Sequence, residues 1–431
     1  MRITILAMGS RGDIQPMVAL GVGLHDAGHG VRIATHSNFE TWIQAQGLDF
    51  APLEGDAQSM VNSAQGQAWV ETGRNSFKMV QGFRQLMRPV LPRAMHDGLE
   101  ASKDADLLVI SGPSFYIGVS IAEKLNLPYI QAYLQPIHPT TEFSSALFPA
   151  PIKGGRIFNY LTHAVGGQSM WHIMRPIVNE ARRDVLHLPP YSPIGPWPEM
   201  QRQKLPVVYG YSRHVLPKPG NWHDFAHVTG YWFLQEKVWT PPQTLVDFLD
   251  DGPPPVYIGF GSMVDRDPQR MTELVLEALK YSNRRAILLR GWGGLRERDL
   301  PPHALMIDQA SHEWLFPRMA AVVHHGGAGT TAAAFRSGTP SIVVPFFADQ
   351  PFWAERVATL GVGVGPLPRK HLTSAKLAGA IDRATSDQTM RERAVALSVE
   401  IRAEDGVARA VEVMKAYAQR IGILSTELAT A

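Results

Sequence analysis

The chain has 431 residues, a formal net charge of +2, 45% apolar residues and 19% charged residues. That length suits two domains better than one core, and that balance suits a globular protein. Its scattered basic residues leave no nucleic-acid footprint, and the absence of cysteine excludes disulfides, thiolate metal sites and cysteine nucleophiles.

The first residues, Arg2-Ile3-Thr4-Ile5-Leu6-Ala7-Met8, form an apolar run that turns at Gly9. The run is too short for a signal peptide, and no stretch approaches the roughly 20 apolar residues of a membrane span. The expectation is a soluble, cytoplasmic protein whose first strand begins at residue 2. Pro16 suits the first turn of a helix that reaches about residue 27 and stops at Gly28. Residues 31–35, 107–110 and 129–133 read as further buried strands, with a helix over about 115–126. Strands alternating with helices predict an α/β doubly wound parallel sheet covered on both faces.

Residues 135–205 break that rhythm, being rich in proline, aromatics and methionine with weak periodicity. Adaptable apolar side chains such as Phe143, Phe148, Met170 and Trp171 suit an acceptor pocket. A peripheral helical subdomain with its own small core is an equally good reading, and the two are compatible. Prolines cluster from Pro217 to Pro255, which marks an interdomain linker over 216–252. The alternation then restarts with strands at 256–260, 286–289, 304–307, 321–324 and 341–345, and a helix over about 268–282. The expected organisation is an N-terminal domain over 1–215, the linker, a second doubly wound domain over 253–400, and helices over 401–431 folding back on the first domain.

The strand Ala321-Val322-Val323 runs into His324-His325-Gly326-Gly327-Ala328-Gly329-Thr330-Thr331. A strand, a glycine-rich turn and a small-residue helix start form an anion site, because the N–H groups of a helix N-terminus are free and its dipole favours negative charge. The bland alternative is a tight turn that packs a helix on a sheet. The dinucleotide fingerprint is absent, since Gly21-Val22-Gly23 sits inside a helix and suits close packing, and no Walker lysine motif occurs. Asp349 and Gln350 follow the strand at 341–345, at the edge where such sheets bind ligands. Side by side they can bond several sugar hydroxyls, while capping of the next helix by Asp349 is the simpler alternative.

The span from Ile307 to Gln350 resembles the donor signature of the UDP-sugar glycosyltransferases that modify small lipophilic molecules. His325-x-Gly327, Thr330-Thr331, Gly338-x-Pro340 and Asp349-Gln350 fall at that family's spacing. The wording of the glycine loop, of Pro345-Phe346-Phe347-Ala348-Asp349-Gln350 and of Gly9-Ser10-Arg11-Gly12-Asp13 is similar to the sterol glucosyltransferase branch and its bacterial relatives. The resemblance implies a GT-B fold, two Rossmann-like domains facing a cleft, with UDP-glucose or a related nucleotide sugar as co-substrate and no other cofactor or metal. It implies a lipophilic small-molecule acceptor such as a sterol, triterpenoid, polyphenol or macrolide, and leaves room for peripheral membrane contact. By position, His325, Gly327, Gly329, Thr330, Thr331 and Ser262 would serve the phosphates, and Asp349 and Gln350 the hexose. Ile307 stands where plant members carry a tryptophan near the uracil, and Ala333 where they carry a ribose-binding glutamate, which leaves UDP against dTDP open.

Asp13 occupies the loop position where the sterol and antibiotic branches carry aspartate, and the resemblance makes it the base that takes the acceptor's proton. Direct displacement would then invert the anomeric centre. From the residues alone, Asp13 could equally cap a helix beginning near Pro16 with Arg11 as its ion-pair partner. His138 is a second candidate for proton traffic, although a solvated loop histidine is the plainer reading. A nucleotide-sugar 2-epimerase or a non-catalytic binding relative would share the architecture, but neither needs the aromatic insertion together with Asp13.

Overall fold

A computed structural model describes residues 1–55, 82, 84–147, 154–235, 239–261, 263, 267–291 and 300–425. In chain order the first half runs β1 (Arg2–Leu6), α1 (Arg11–Asp26), β2 (Gly30–Thr35), α2 (Glu40–Gln44), β3 (Asp49–Pro52), α3 (Val90–Ser102), β4 (Leu107–Ser111), α4 (Phe115–Leu125) and β5 (Tyr129–Tyr133). It continues through α5 (Arg156–Asp184), α6 (Trp197–Gln203), β6 (Val207–Tyr209) and β7 (Ala226–Val228). The second half comprises α7 (Gln243–Asp250), β8 (Val256–Gly259), α8 (Pro268–Ser282), β9 (Ala286–Leu289), β10 (Ala304–Ile307), α9 (His312–Leu315), β11 (Ala321–His324), α10 (Ala328–Ser337) and β12 (Ser341–Val343). It ends with α11 (Gln350–Leu360), β13 (Gly363–Val364), α12 (Ser374–Ser386), α13 (Gln388–Arg402) and α14 (Gly406–Arg420).

Two parallel sheets result, a seven-stranded one ordered β3-β2-β1-β4-β5-β6-β7 and a six-stranded one ordered β10-β9-β8-β11-β12-β13. Their strands are near-continuous apolar runs because helices cover both faces, and all five residues of β4 are buried. In each sheet the order reverses once, between β1 and β4 and between β8 and β11. Loops leaving the carboxyl ends of strands at such a reversal splay apart and open a crevice. The β1–α1 and β11–α10 loops therefore begin where a ligand can sit.

Three stretches depart from the sequence expectation. The helix α1 starts at Arg11, with Ser10 as N-cap and Pro16 inside it. The aromatic insertion holds one long helix, α5, of 29 residues. That suits the helical alternative for this stretch, although weak periodicity hid the helix's length; Gly166-Gly167 and Pro176 disfavour a helix, and burial of Trp171, Met174, Ile177 and Val178 holds it together. The span expected as a linker contains β7, the last strand of the first sheet, and α7.

The apolar core of the first sheet continues through Phe352, Trp353 and Val357 of α11 into Val411 and Met414 of α14. Helix α14 lies against α1 at Gly23, where an added Cβ would come within 2.3 Å of a Val407 methyl carbon. Gly21 is also closely packed, its missing Cβ facing Ile33 and Leu48. Gly23→Val should therefore overpack this contact and lower unfolding stability by about 1–3 kcal/mol, read from denaturant titration. An unchanged midpoint would mean that α14 is not held there.

Candidate functional site

The two sheets face each other across a cavity of about 1740 Å³. On the second domain's side, β11 delivers His324 and His325 to the turn at Gly326, whose φ of +91° favours glycine. Helix α10 follows, and its first turn presents Ala328, Gly329 and Thr330 to the cavity. Those N–H groups precede the first helical bond, which Thr331 donates to Gly327 (2.9 Å). The His325 ring is packed between Gly261 and Gly327, where Cβ atoms would stand 3.2 Å and 2.4 Å from ring atoms. Burial lowers the His325 pKa to about 4, so the ring is neutral, and its Nδ1 has no partner among the described residues. Helix dipole, free N–H groups and a neutral imidazole converge on one spot.

Opposite them lies the N-terminus of α1. Gly329 faces the backbone of Gly12, whose oxygen would be 3.6 Å from a Cβ placed there. Asp13, at the third position of α1, is partly open to the cavity. One of its oxygens accepts from the Ser10 N–H (2.8 Å) and from the Ser10 hydroxyl (2.9 Å). It does not cap a helix starting near Pro16, because α1 begins before it. Burial raises its pKa above the ordinary 3.8, and the two Ser10 bonds pull it part of the way back. Arg11 bonds Gln15 (3.2 Å) and lies over the Trp42 ring.

Asp349 comes from the loop after β12, where Ala348 adopts a left-handed φ of +55°. That conformation costs about 1–2 kcal/mol in a non-glycine residue and turns the next side chain toward the cleft. Asp349 sits at the N-cap of α11 without a side-chain cap bond. Its carboxylate accepts instead from Gln135 Nε2 of the first domain (3.1 Å) and from Trp353 Nε1 (2.9 Å). Burial raises its pKa to about 6, the two bonds oppose that rise, and the nearby charge of Asp13 adds to it. Gln350 holds the loop's shape, accepting from the N–H groups of Phe346 (2.7 Å) and Phe347 (3.2 Å).

Four sequence candidates lie away from the cavity. Trp171 is fully buried, donating to the Ser192 carbonyl (3.2 Å) and packing on Tyr116. Phe143 is wedged between His163 and Phe352 at the domain contact. Thr331 turns inward with its hydroxyl buried, so Thr330 alone of the pair lines the cavity. Ile307 packs into the second domain's core, and the following Asp308 and Gln309 line the cavity in its place. Met170 does line the cavity, whereas Phe148 and Ser262 lie outside the described residues.

The first domain's wall carries several aromatic side chains, with Phe115, Tyr116, Trp197, Trp222 and Phe225 among them. His138 belongs to this wall and is no solvated loop residue. Its backbone N–H donates to the Tyr209 hydroxyl (3.2 Å), and that hydroxyl also bonds the ring Nδ1. Burial lowers its pKa to about 4, so the ring stays neutral with Tyr209 donating to Nδ1. Gln135 and His138 were legible only as residues just after β5, at the same carboxyl edge that carries Asp13.

Asp349→Asn keeps an oxygen that can accept from Gln135 and Trp353 but removes the ionisation. A folded-state pKa near 6, above the ordinary 3.8, means the wild type loses stability as pH rises between those values. Denaturant titrations should show the variant gaining about 1–3 kcal/mol over wild type between about pH 4 and pH 7.5. A gap that does not move with pH would show that burial is not perturbing this carboxylate.

The comparisons agree with this architecture. Residues 3–144 match the glycosyltransferase family 28 N-terminal domain, and residues 294–416 match the C-terminal domain of erythromycin biosynthesis protein CIII-like proteins. The chain is 39% identical to a sterol 3-beta-glucosyltransferase of Cryptococcus neoformans var. neoformans, over 96% of this chain and 27% of that protein. It is 38% identical to a sterol 3-beta-glucosyltransferase of Neosartorya fischeri, over 96% of this chain and 29% of that protein. The chain thus spans under a third of the length of these relatives. Among solved structures, the calicheamicin glycosyltransferase CalG4 superposes with a TM-score of 0.66 at 18% identity, covering 97% of this chain and 98% of that one. The glycosyltransferase VinC in complex with dTDP gives the same score and identity, covering 97% and 100%. A match to the glycosyltransferase family 28 N-terminal domain in front, a match to the erythromycin CIII-like C-terminal domain behind and two facing parallel sheets give the chain the GT-B fold.

Proposed function

We propose that this protein is an inverting glycosyltransferase that moves glucose, or a similar hexose, from a UDP-sugar to a hydroxyl of a sterol-like acceptor. The observation that carries the reading is the meeting of Asp13, Asp349 and the α10 N-terminus in one cavity whose first-domain wall carries several aromatic side chains. At about 1740 Å³ the cavity exceeds the roughly 300–1,000 Å³ of a single small-ligand site, as a two-substrate site should. The sterol 3-beta-glucosyltransferases to which the chain is similar name the acceptor class.

In this reading the diphosphate lies against the free N–H groups of α10, with Thr330 and neutral His325 as further donors. These groups offset the charge that grows on UDP as the sugar leaves. Asp349 and the Asp349–Gln350 backbone turn hold the hexose hydroxyls, which take over the bond that Gln135 makes to Asp349. Asp13 accepts the proton of the acceptor hydroxyl while that oxygen attacks the anomeric carbon. An α-linked donor then gives a β-glycoside. A carboxylate is a weak base for an alcohol, and the burial that raises the pKa of Asp13 strengthens it. The chemistry needs no cofactor beyond the nucleotide-sugar co-substrate, and the reading puts the protein in the cytoplasm, where such donors are met.

The test is UDP release from UDP-glucose by wild type and Asp13→Ala, against a panel of sterols, flavonoids and macrolides, with dTDP-glucose as a parallel donor. Sterols should stimulate release from UDP-glucose, and Asp13→Ala should lower the stimulated rate by about 10²–10⁴-fold. The wild-type rate should fall on acidification, with a midpoint above the ordinary carboxylate value because the Asp13 pKa is raised. Release that no acceptor stimulates, from either donor, would sink the proposal.

A further inference from the structure

His138 is set into the first domain's wall as a hydrogen-bond donor that the protein itself leaves unused. The Tyr209 hydroxyl accepts from the His138 backbone N–H (3.2 Å), so its own proton goes to the ring Nδ1. Burial keeps that phenol protonated, which fixes the neutral imidazole as the tautomer with its proton on Nε2. Nε2 bonds no described residue, and His138 lines the cavity. The ring is held in this setting by Tyr209, Trp222 and Phe225, which meet it edge to face at 5.9 to 6.3 Å.

A second donor stands close by. The Thr140 hydroxyl accepts from the Glu142 N–H (3.1 Å) and donates to Asn221 Oδ1 (2.7 Å). That bond orients the Asn221 amide, whose Nδ2 bonds no described residue and whose side chain also lines the cavity.

Position gives these donors their meaning. In the first sheet β5 lies two strands from β1, with β4 between them. At about 4.8 Å per strand, the loop that carries His138 leaves the sheet about 10 Å from the loop that carries Asp13. The loop after β4 adds Gly112, Pro113 and Phe115 to the interval, and none of these offers a side-chain hydrogen bond.

We propose that His138 and Asn221 form a second polar subsite, and that the acceptor is a fused-ring alcohol with a further ketone or hydroxyl oxygen at the end remote from the reacting hydroxyl. The remote oxygen accepts from the His138 Nε2–H and the Asn221 amide while the reacting hydroxyl lies at Asp13. This subsite rests on the reading of the cavity as an acceptor site, and it goes further by naming the acceptor's second functional group. An alcohol that ends in bare hydrocarbon covers the Nε2–H without replacing its water, and so binds less tightly. With its proton already on Nε2, His138 recognises the acceptor and does not deprotonate it.

The experiment compares two steroid alcohols of one skeleton, one with a ketone at the remote end and one with only hydrogen there. Equilibrium dialysis gives the ratio of their Kd values, and UDP release from UDP-glucose gives the ratio of their kcat/KM values. Wild type should favour the keto-alcohol about tenfold in both ratios, through KM and not through kcat. His138→Phe, which keeps a ring among the aromatic neighbours, should bring both ratios close to one. Asn221→Ala, at an exposed position, should lower them about threefold. Each ratio is taken within one preparation, so any unfolded fraction cancels. A binding preference that His138→Phe removes, without any sugar transfer, supports the subsite and counts against the sugar-transfer reading. Equal wild-type constants for the two alcohols, a preference that survives the variants, or no binding of either alcohol overturns the subsite, whether or not sugar is transferred.

Discussion

A buried carboxylate between two domains is the constraint on which this molecule's working end depends. Asp349 is removed from water, and an unpaired ion there would be strongly destabilising. One hydrogen bond comes from Trp353 on its own helix and the other from Gln135 across the cleft. The second bond ties the loop after β5 to the loop after β12, so the carboxyl edges of both sheets are set against each other by one residue. The strained backbone at Ala348 and the amide of Gln350, used entirely to shape the loop on its oxygen side, make sense as the supports of that placement. In the proposed reading, a sugar entering the cleft would meet a carboxylate already partly satisfied, and its hydroxyls would take over the bond from Gln135.

The same burial acts on Asp13, with a different result. Burial pushes both carboxylates toward the protonated form, and the charge of Asp13 makes ionisation of Asp349 harder. Asp13 is relieved by two bonds from Ser10, which favour its charged form, and it remains open to the cavity. One oxygen is thereby held while the group keeps access to a proton arriving from the acceptor side. In the proposed reaction, environment separates the two residues into a base on the acceptor's side and an acceptor of hydrogen bonds on the donor's side.

Legibility in the sequence followed the division between backbone and side-chain work. The strands, the glycine loop and the α10 start could be read because parallel strands are continuous apolar runs and an anion site needs small residues beside the backbone. Places at the cavity for His325, Gly329 and Asp349 were expected from the strand ends, the glycine loop and the family's spacing. What could not be read depended on packing between distant segments. Trp171 and Phe143 have the composition of pocket walls, yet Ser192 and Phe352, far away in sequence, turn them into core. Thr331 and Thr330 are neighbours in sequence, but the 100° turn between helical positions buries one hydroxyl and leaves the other in the cavity. His138 looked like a loop residue because Tyr209, its partner, arrives only with β6.

The long helix α5 shows why the first domain's wall of the cavity was the least legible part. Two adjacent glycines and a proline weaken its local preference, and only tertiary contacts make it a helix at all. Its inward side is fixed by those contacts, which leaves the outward side free to carry apolar residues that folding does not require. The second domain's side of the cleft is specified by backbone geometry at the glycine loop, which a local sequence pattern announces. The first domain's side is specified by packing between distant segments, such as α5 and residues 192–195, which no local pattern announces.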